Sequence, residues 1–135
     1  MKKDIYFDIN YGKLYETMEN GKAEIFEYED DNGKVSNQFI LRKIPTEVDG
    51  IQYFDIVTPY GYGGPILENY KEGKKEDLIN EYYKNFKIYC DSKKIVSEFI
   101  RFHPILENAQ DFRKIYNSQC IRKTLGTNLK IFENP

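Results

Sequence analysis

Residues 23–44 read AEIFEYEDDNGKVSNQFILRKI, and this stretch decides the fold class. Two runs rich in β-branched and aromatic residues, 23–29 and 35–44, flank Asp30-Asp31-Asn32-Gly33. Asn-Gly supplies the two positive-φ positions of a type I′ turn, so the stretch predicts a β-hairpin. Pro45 ends the second strand, since it has no N–H for a ladder, and Asp49-Gly50 makes another turn. Residues 51–57, IQYFDIV, read as a third and mostly buried strand. Three antiparallel strands in succession are therefore expected.

On the N-terminal side, Tyr11, Leu14, Tyr15 and Met18 recur at helical spacing and predict a helix over about residues 9–20. Asp8 or Asn10 suits its start and Gly21 its C′ position. On the other side, residues 58–75 show no periodicity and hold four glycines and two prolines, the mark of a long loop. Leu78, Ile79, Tyr82, Tyr83, Phe86, Tyr89 and Cys90 then predict a helix from about 76 to 92. Its acidic start and Lys93-Lys94 end complement the helix dipole. Residues 95–102 read as a strand stopped by His103-Pro104. A short helix is expected near Ala109–Ile115 and one or two weak strands between Cys120 and Phe132. A strand, a helix and another strand permit a crossover to a parallel neighbour. The fold class is mixed α/β, with antiparallel strands first and a crossover after.

The chain has 135 residues, one domain's length, and no internal repeat, so residues 1–135 are read as a single domain. Lysine plus arginine number 20 and aspartate plus glutamate 22, a net charge of −2. That balance argues against a binder of duplex nucleic acid, which would carry a basic face. Cys90 and Cys120 lie 30 residues apart, and neither sits in a CxxC or near the only histidine, so no zinc or other metal site is expected; a single disulfide between them has no secretory context to support it. The start, MKKDIYFDIN, has no apolar signal core, and no run is long enough to span a bilayer; a reducing cytoplasm is the expected compartment. Twelve tyrosines and nine phenylalanines, with no tryptophan, mean a core built from rings, many with a hydroxyl to satisfy.

Residues 53–65, YFDIVTPYGYGGP, stand out chemically. The glycines lack the spacing and the following Gly-Lys-Ser/Thr of a P-loop, and they are not a dinucleotide fingerprint. Glycines alternating with tyrosines let a backbone approach a ligand closely and present rings that stack on a sugar or base. They equally make a compact loop packed by its own tyrosines. Asp55, mid-strand, is a candidate general base, or else a carboxylate that fixes the loop by hydrogen bonds. His103, the only histidine, is either a general base or a hydrogen-bonding residue of the scaffold. Arg42 and Arg101 lie in expected strands, where an arginine must pair, snorkel or bind an anion; Asp55 and Glu98 are the pairing candidates.

YFDIVTPYGYGGPIL, then a long amphipathic helix, then IVSEFIRFHPIL resembles the N-terminal half of a group of bacterial acyltransferases, the GNAT-like proteins related to the Fem-type peptidoglycan aminoacyltransferases. The matching residues are Asp55, Thr58, Pro59, Tyr60, Gly61, Tyr62, Gly63, Gly64 and Pro65, then Glu98, Phe99, Arg101, Phe102, His103 and Pro104. The resemblance implies a GNAT-like fold and transfer of an acyl or aminoacyl group to an amine or hydroxyl of a cell-wall or surface-glycan precursor. The donor would be acyl-CoA or an aminoacyl-tRNA. Members of the group carry two tandem domains, of which this chain resembles the first; the usual GNAT phosphate-binding glycine pattern is absent. The expected acceptor groove is lined by Tyr60, Gly61, Tyr62, Gly63 and Gly64, with Arg101 and His103 at its edge. An alternative is a domain that binds a glycan or peptidoglycan precursor, or a protein partner, with no donor site. Either reading leaves a homodimer or a second acyltransferase domain as a partner.

Overall fold

The computed structural model describes residues 4–116. The expected strands between Cys120 and Phe132 lie outside these residues. Within them the protein is mixed α/β, with one mixed sheet and helices on both of its faces.

The hairpin stands where the sequence places it, as β1 (Lys22–Asp30) and β2 (Gly33–Lys43). Its turn differs from the expected type I′. Asp30 pairs with Gly33, so Asp31 and Asn32 are the loop residues, and neither has a positive φ. The Asp30 carboxylate accepts from the Asn32 amide at 2.7 Å, a side-chain turn that replaces the expected one. The positive-φ pair instead occurs at Asp49 and Gly50, where Val48 and Ile51 exchange both backbone bonds.

β2 is the centre of the sheet. β1 flanks it along one side. Along the other, β2 pairs first with β4 (Gly64–Tyr70) and then with β3 (Phe54–Val57), both antiparallel. Gln38 faces Gly64 and Ile40 faces Val57, so β3 and β4 are two halves of one interrupted strand. Residues 58–63 leave the ladder opposite Phe39 and return to it. The expected long loop therefore contains a strand, hidden in the sequence by Gly64-Pro65 at its start. The expected third strand shortens to Phe54–Val57, because Ile51 is used in the Val48 turn.

The N-terminal helix is not continuous. A 3-10 turn over Ile5–Phe7 leads into α1 (Ile9–Leu14), and α2 (Glu16–Glu19) follows after Tyr15. Asp8 caps α1 by accepting from the Asn10 amide at 2.8 Å. The left-handed residue that ends α2 is Asn20 rather than Gly21. The stripe read as core-facing splits: Tyr11 and Tyr15 turn inward, while Leu14 and Met18 are exposed.

α3 (Lys75–Lys93) connects β4 to β5 (Ile95–Phe99), which runs parallel to β3, as a crossover requires. Its apolar stripe buries Leu78, Ile79, Tyr82 and Phe86 on one sheet face, against Val35, Phe39, Ile56, Leu67 and Ile95. Phe112, beyond the short α4 (Asn108–Asp111), completes this core. Among the described residues the opposite sheet face holds only a small buried cluster, Ala23, Ile40 and Val57, covered by Ile9 of α1.

Candidate functional site

The two sequence motifs meet in space. β5 follows β3 as far as the bond from the Thr58 amide to the Phe99 carbonyl. It then meets the end of the 58–63 excursion, where Gly63 donates to the Arg101 carbonyl at 2.8 Å and bridges to Phe102. The Arg101 amide donates to Thr58 Oγ1 at 3.3 Å. Arg101 is thus held by its backbone between the two ends of the excursion. Its guanidinium is exposed and has no partner among the described residues.

The excursion is a closed, tyrosine-filled loop. Gly61 has φ +98°, and a Cβ there would lie 2.6 Å from the Tyr6 ring, so close approach by Tyr6 needs a glycine. The Tyr11 hydroxyl donates to the Tyr60 carbonyl. Tyr62 meets Tyr6 edge-on at 5.5 Å, and Tyr15 lies 5.6 Å from the ring of Tyr60. Tyr60 itself is 59% exposed. Gly64, at φ +88°, returns the chain to β4 under Ile100, where a Cβ would sit 2.7 Å from that side chain.

His103 is buried and fully engaged. Its Nδ1 accepts from the amides of Ile105 and Leu106, both at 3.2 Å, so the proton resides on Nε2. Nε2 then donates to the Asp4 carboxylate at 2.9 Å. Neither nitrogen is left to act as a base. Asn108 holds the same region from inside. Its Oδ1 accepts from the His103 amide at 2.8 Å, and its Nδ2 donates to the carbonyls of Gly63 at 2.9 Å and Pro65 at 3.0 Å.

Asp55 lies apart from this group. It receives two parallel bonds from Arg42, at 2.9 and 2.8 Å, and Glu19 of α2 lies 3.8 Å from the same guanidinium. The strand arginine that the sequence offered as an anion binder is therefore paired, and the other, Arg101, is free of Glu98. Tyr60, Gly61, Tyr62, Gly63, Gly64, Arg101 and His103 are brought together, and Asp55 is not among them.

Sequence reasoning missed three contributors. Asp4, Tyr6 and Asn108 complete the loop from distant or unremarked positions, and no local pattern marks them. It also passed over the surroundings of Glu98, which pairs in register with buried Ile56 and so faces α3. There the Asn37 amide donates to the Tyr82 hydroxyl at 3.1 Å, and the Tyr82 and Tyr116 hydroxyls lie 3.2 Å apart. Burial pushes the Glu98 carboxyl up to about 7, against the opposing pull of hydrogen bonds from Asn37 and Tyr116. Burial likewise raises Tyr82 and Tyr116, and it holds the Cys90 thiol at about 12, where it is unreactive.

Among the described residues no group of three or more His, Cys, Asp or Glu is placed to hold a metal. None of the described helices is long and apolar enough to cross a membrane. No family model, no curated protein and no solved structure matches the chain.

Proposed function

We propose that this chain is a GNAT-like domain of a Fem-related acyltransferase whose part is to hold the acceptor, a cell-wall or surface-glycan precursor. The reading rests on the exposed Arg101 guanidinium, fixed by its backbone at the mouth of the tyrosine-glycine loop. A precursor's phosphate or carboxylate offers the paired acceptor oxygens that the planar arginine fork suits. Tyr60 supplies an exposed ring on the same loop. The acyl or aminoacyl donor, acyl-CoA or an aminoacyl-tRNA, would be held by a second domain or another chain. That division of labour agrees with the state of the two candidate bases: Asp55 is paired with Arg42, and both nitrogens of His103 are occupied. Exposed Leu14 and Met18 on the N-terminal helices offer apolar surface for such a partner.

The test is a thermal-shift titration with acetyl-CoA, free CoA and UDP-N-acetylmuramoyl pentapeptide in parallel. At ten times its dissociation constant a ligand raises the midpoint of a domain this size by about 3–8 °C. The expected result is a shift with the precursor and none with CoA. Arg101→Ala should abolish that shift and leave the midpoint without ligand unchanged. A shift with acetyl-CoA would instead mean that the donor site is on this chain. Absence of any shift would overturn the reading.

A further inference from the structure

The sheet ends in two unlike edges. Its order runs β1-β2-β3-β5, so β1 and β5 each keep one side unpaired among the described residues. On β1, Asp30 and Gly33 close the hairpin, and pairing alternates from there along an antiparallel strand. The backbone groups that point outward are therefore those of Ala23, Ile25, Glu27 and Glu29. The Ala23 amide donates to Glu16 at 2.9 Å, and no described group meets the other three. This edge is acidic, with five carboxylates and one lysine over residues 22–31. Glu24 and Asp30 accept from tyrosines, and Glu27 lies 3.4 Å from Lys34. Glu29 and Asp31 are exposed and have no ionic partner among the described residues.

The β5 edge has the opposite character. Its one acid, Glu98, faces α3, and Lys93 and Lys94 stand exposed at its start. Val96 and Phe99 are 59% and 57% exposed along it. An unpaired edge with apolar side chains is a template for another strand.

We propose that β1 of one copy docks on the outer edge of β5 of a second copy, so that the sheet continues from molecule to molecule. Charge selects this pairing. Two β1 edges would set carboxylates against carboxylates and two β5 edges lysines against lysines, whereas the unlike edges attract. In the antiparallel sense Lys93 and Lys94 come beside Glu29 and Asp31, and the added strand covers Val96. The contact joins two different surfaces, so it repeats beyond a dimer unless a ring closes. Arg101 lies past the far end of β5 and stays open to the acceptor, so this inference does not depend on the acceptor reading.

Sedimentation velocity of the full chain is followed over rising concentration at 0.1 M and 1 M salt, between which the Debye length falls from about 10 Å to about 3 Å. The weight-average mass should rise at least about twofold at the lower salt and return to that of a monomer at the higher. Lys94→Glu and Glu29→Lys, each alone, should leave monomers at both salts. An equimolar mixture of the two variants should associate again, because each then finds an oppositely charged edge on the other. An unsubstituted chain that stays monomeric at every concentration overturns the proposal. Association that survives both reversals overturns it too, by placing the contact on another surface such as Leu14 and Met18. A mixture that stays monomeric after both single losses overturns the pairing of these two edges. Neither substitution touches the tyrosine-glycine loop or Arg101, so failure of precursor binding and failure of association are read separately.

Discussion

The two faces of the sheet are built by different means. On the α3 face, Val35, Phe39, Ile56, Leu67, Leu78, Tyr82, Phe86, Ile95 and Phe112 form one continuous buried cluster. On the other face, among the described residues, only Ala23, Ile40 and Val57 form a buried cluster. The short helices there are held by polar contacts: Gln38 to two carbonyls, Tyr11 to the Tyr60 carbonyl, and Asp4 to His103. Apolar burial is non-directional and additive, so the first face carries stability. Hydrogen bonds and ring edges are directional and individually modest, so the second face fixes positions while staying cheaper to rearrange. The motif-bearing loop belongs to the second face.

The sharpest way to break this comparison is to cut one ring from the α3 face. Phe86→Ala removes a side chain that stacks between Tyr82 and Tyr89 and should cost about 3–5 kcal/mol in chemical denaturation. Leu14→Ala on the other face, at 76% exposure, should cost under about 0.5 kcal/mol. Equal losses would mean that the faces do not differ. Next in size, Asn108→Ala leaves the His103 amide and the Gly63 and Pro65 carbonyls without their buried partner, for a loss of about 3 kcal/mol. Because Asn108 joins the loop to the core, its removal should also weaken precursor binding, which Phe86→Ala should not do once the chain is folded.

A smaller effect depends on pH. The Glu98 carboxyl titrates at about 7 in the folded chain, against 4.5 as its ordinary value. Between these the folded state holds a proton that the unfolded state has lost, so stability falls as pH rises from about 4.5 to about 7. The loss amounts to about 3 kcal/mol at most. Glu98→Gln keeps the hydrogen-bonding shape without the charge and should flatten that slope. A variant that retains the full slope would place the titrating group elsewhere.

The hairpin, α3 and β5 were legible because each is a local pattern: alternation or a 3.6-residue stripe bounded by turn residues. β4 was not, since Gly64 and Pro65 open it and a strand that begins with turn residues reads as loop. The break at Tyr15 was hidden for the opposite reason, because the apolar spacing runs straight through it. The motif residues 58–65 and 98–104 were visible as unusual composition, and all of the candidates but Asp55 and Arg42 converge. Their partners were not visible: Asp4 reaches His103 across 99 positions, and Asn108 reaches Gly63 across 45.

By itself the sequence determined the class of fold, the order of the main elements and the chemistry available to the loop, because backbone preference and hydrophobic period act over a few residues. Only the tertiary structure decided that β3 and β4 are one strand interrupted by the 58–63 excursion, that His103 has no free nitrogen, and that Arg101 is the exposed charge at its mouth. Those outcomes depend on which distant groups supply hydrogen bonds and ring contacts, and no spacing along the chain records them.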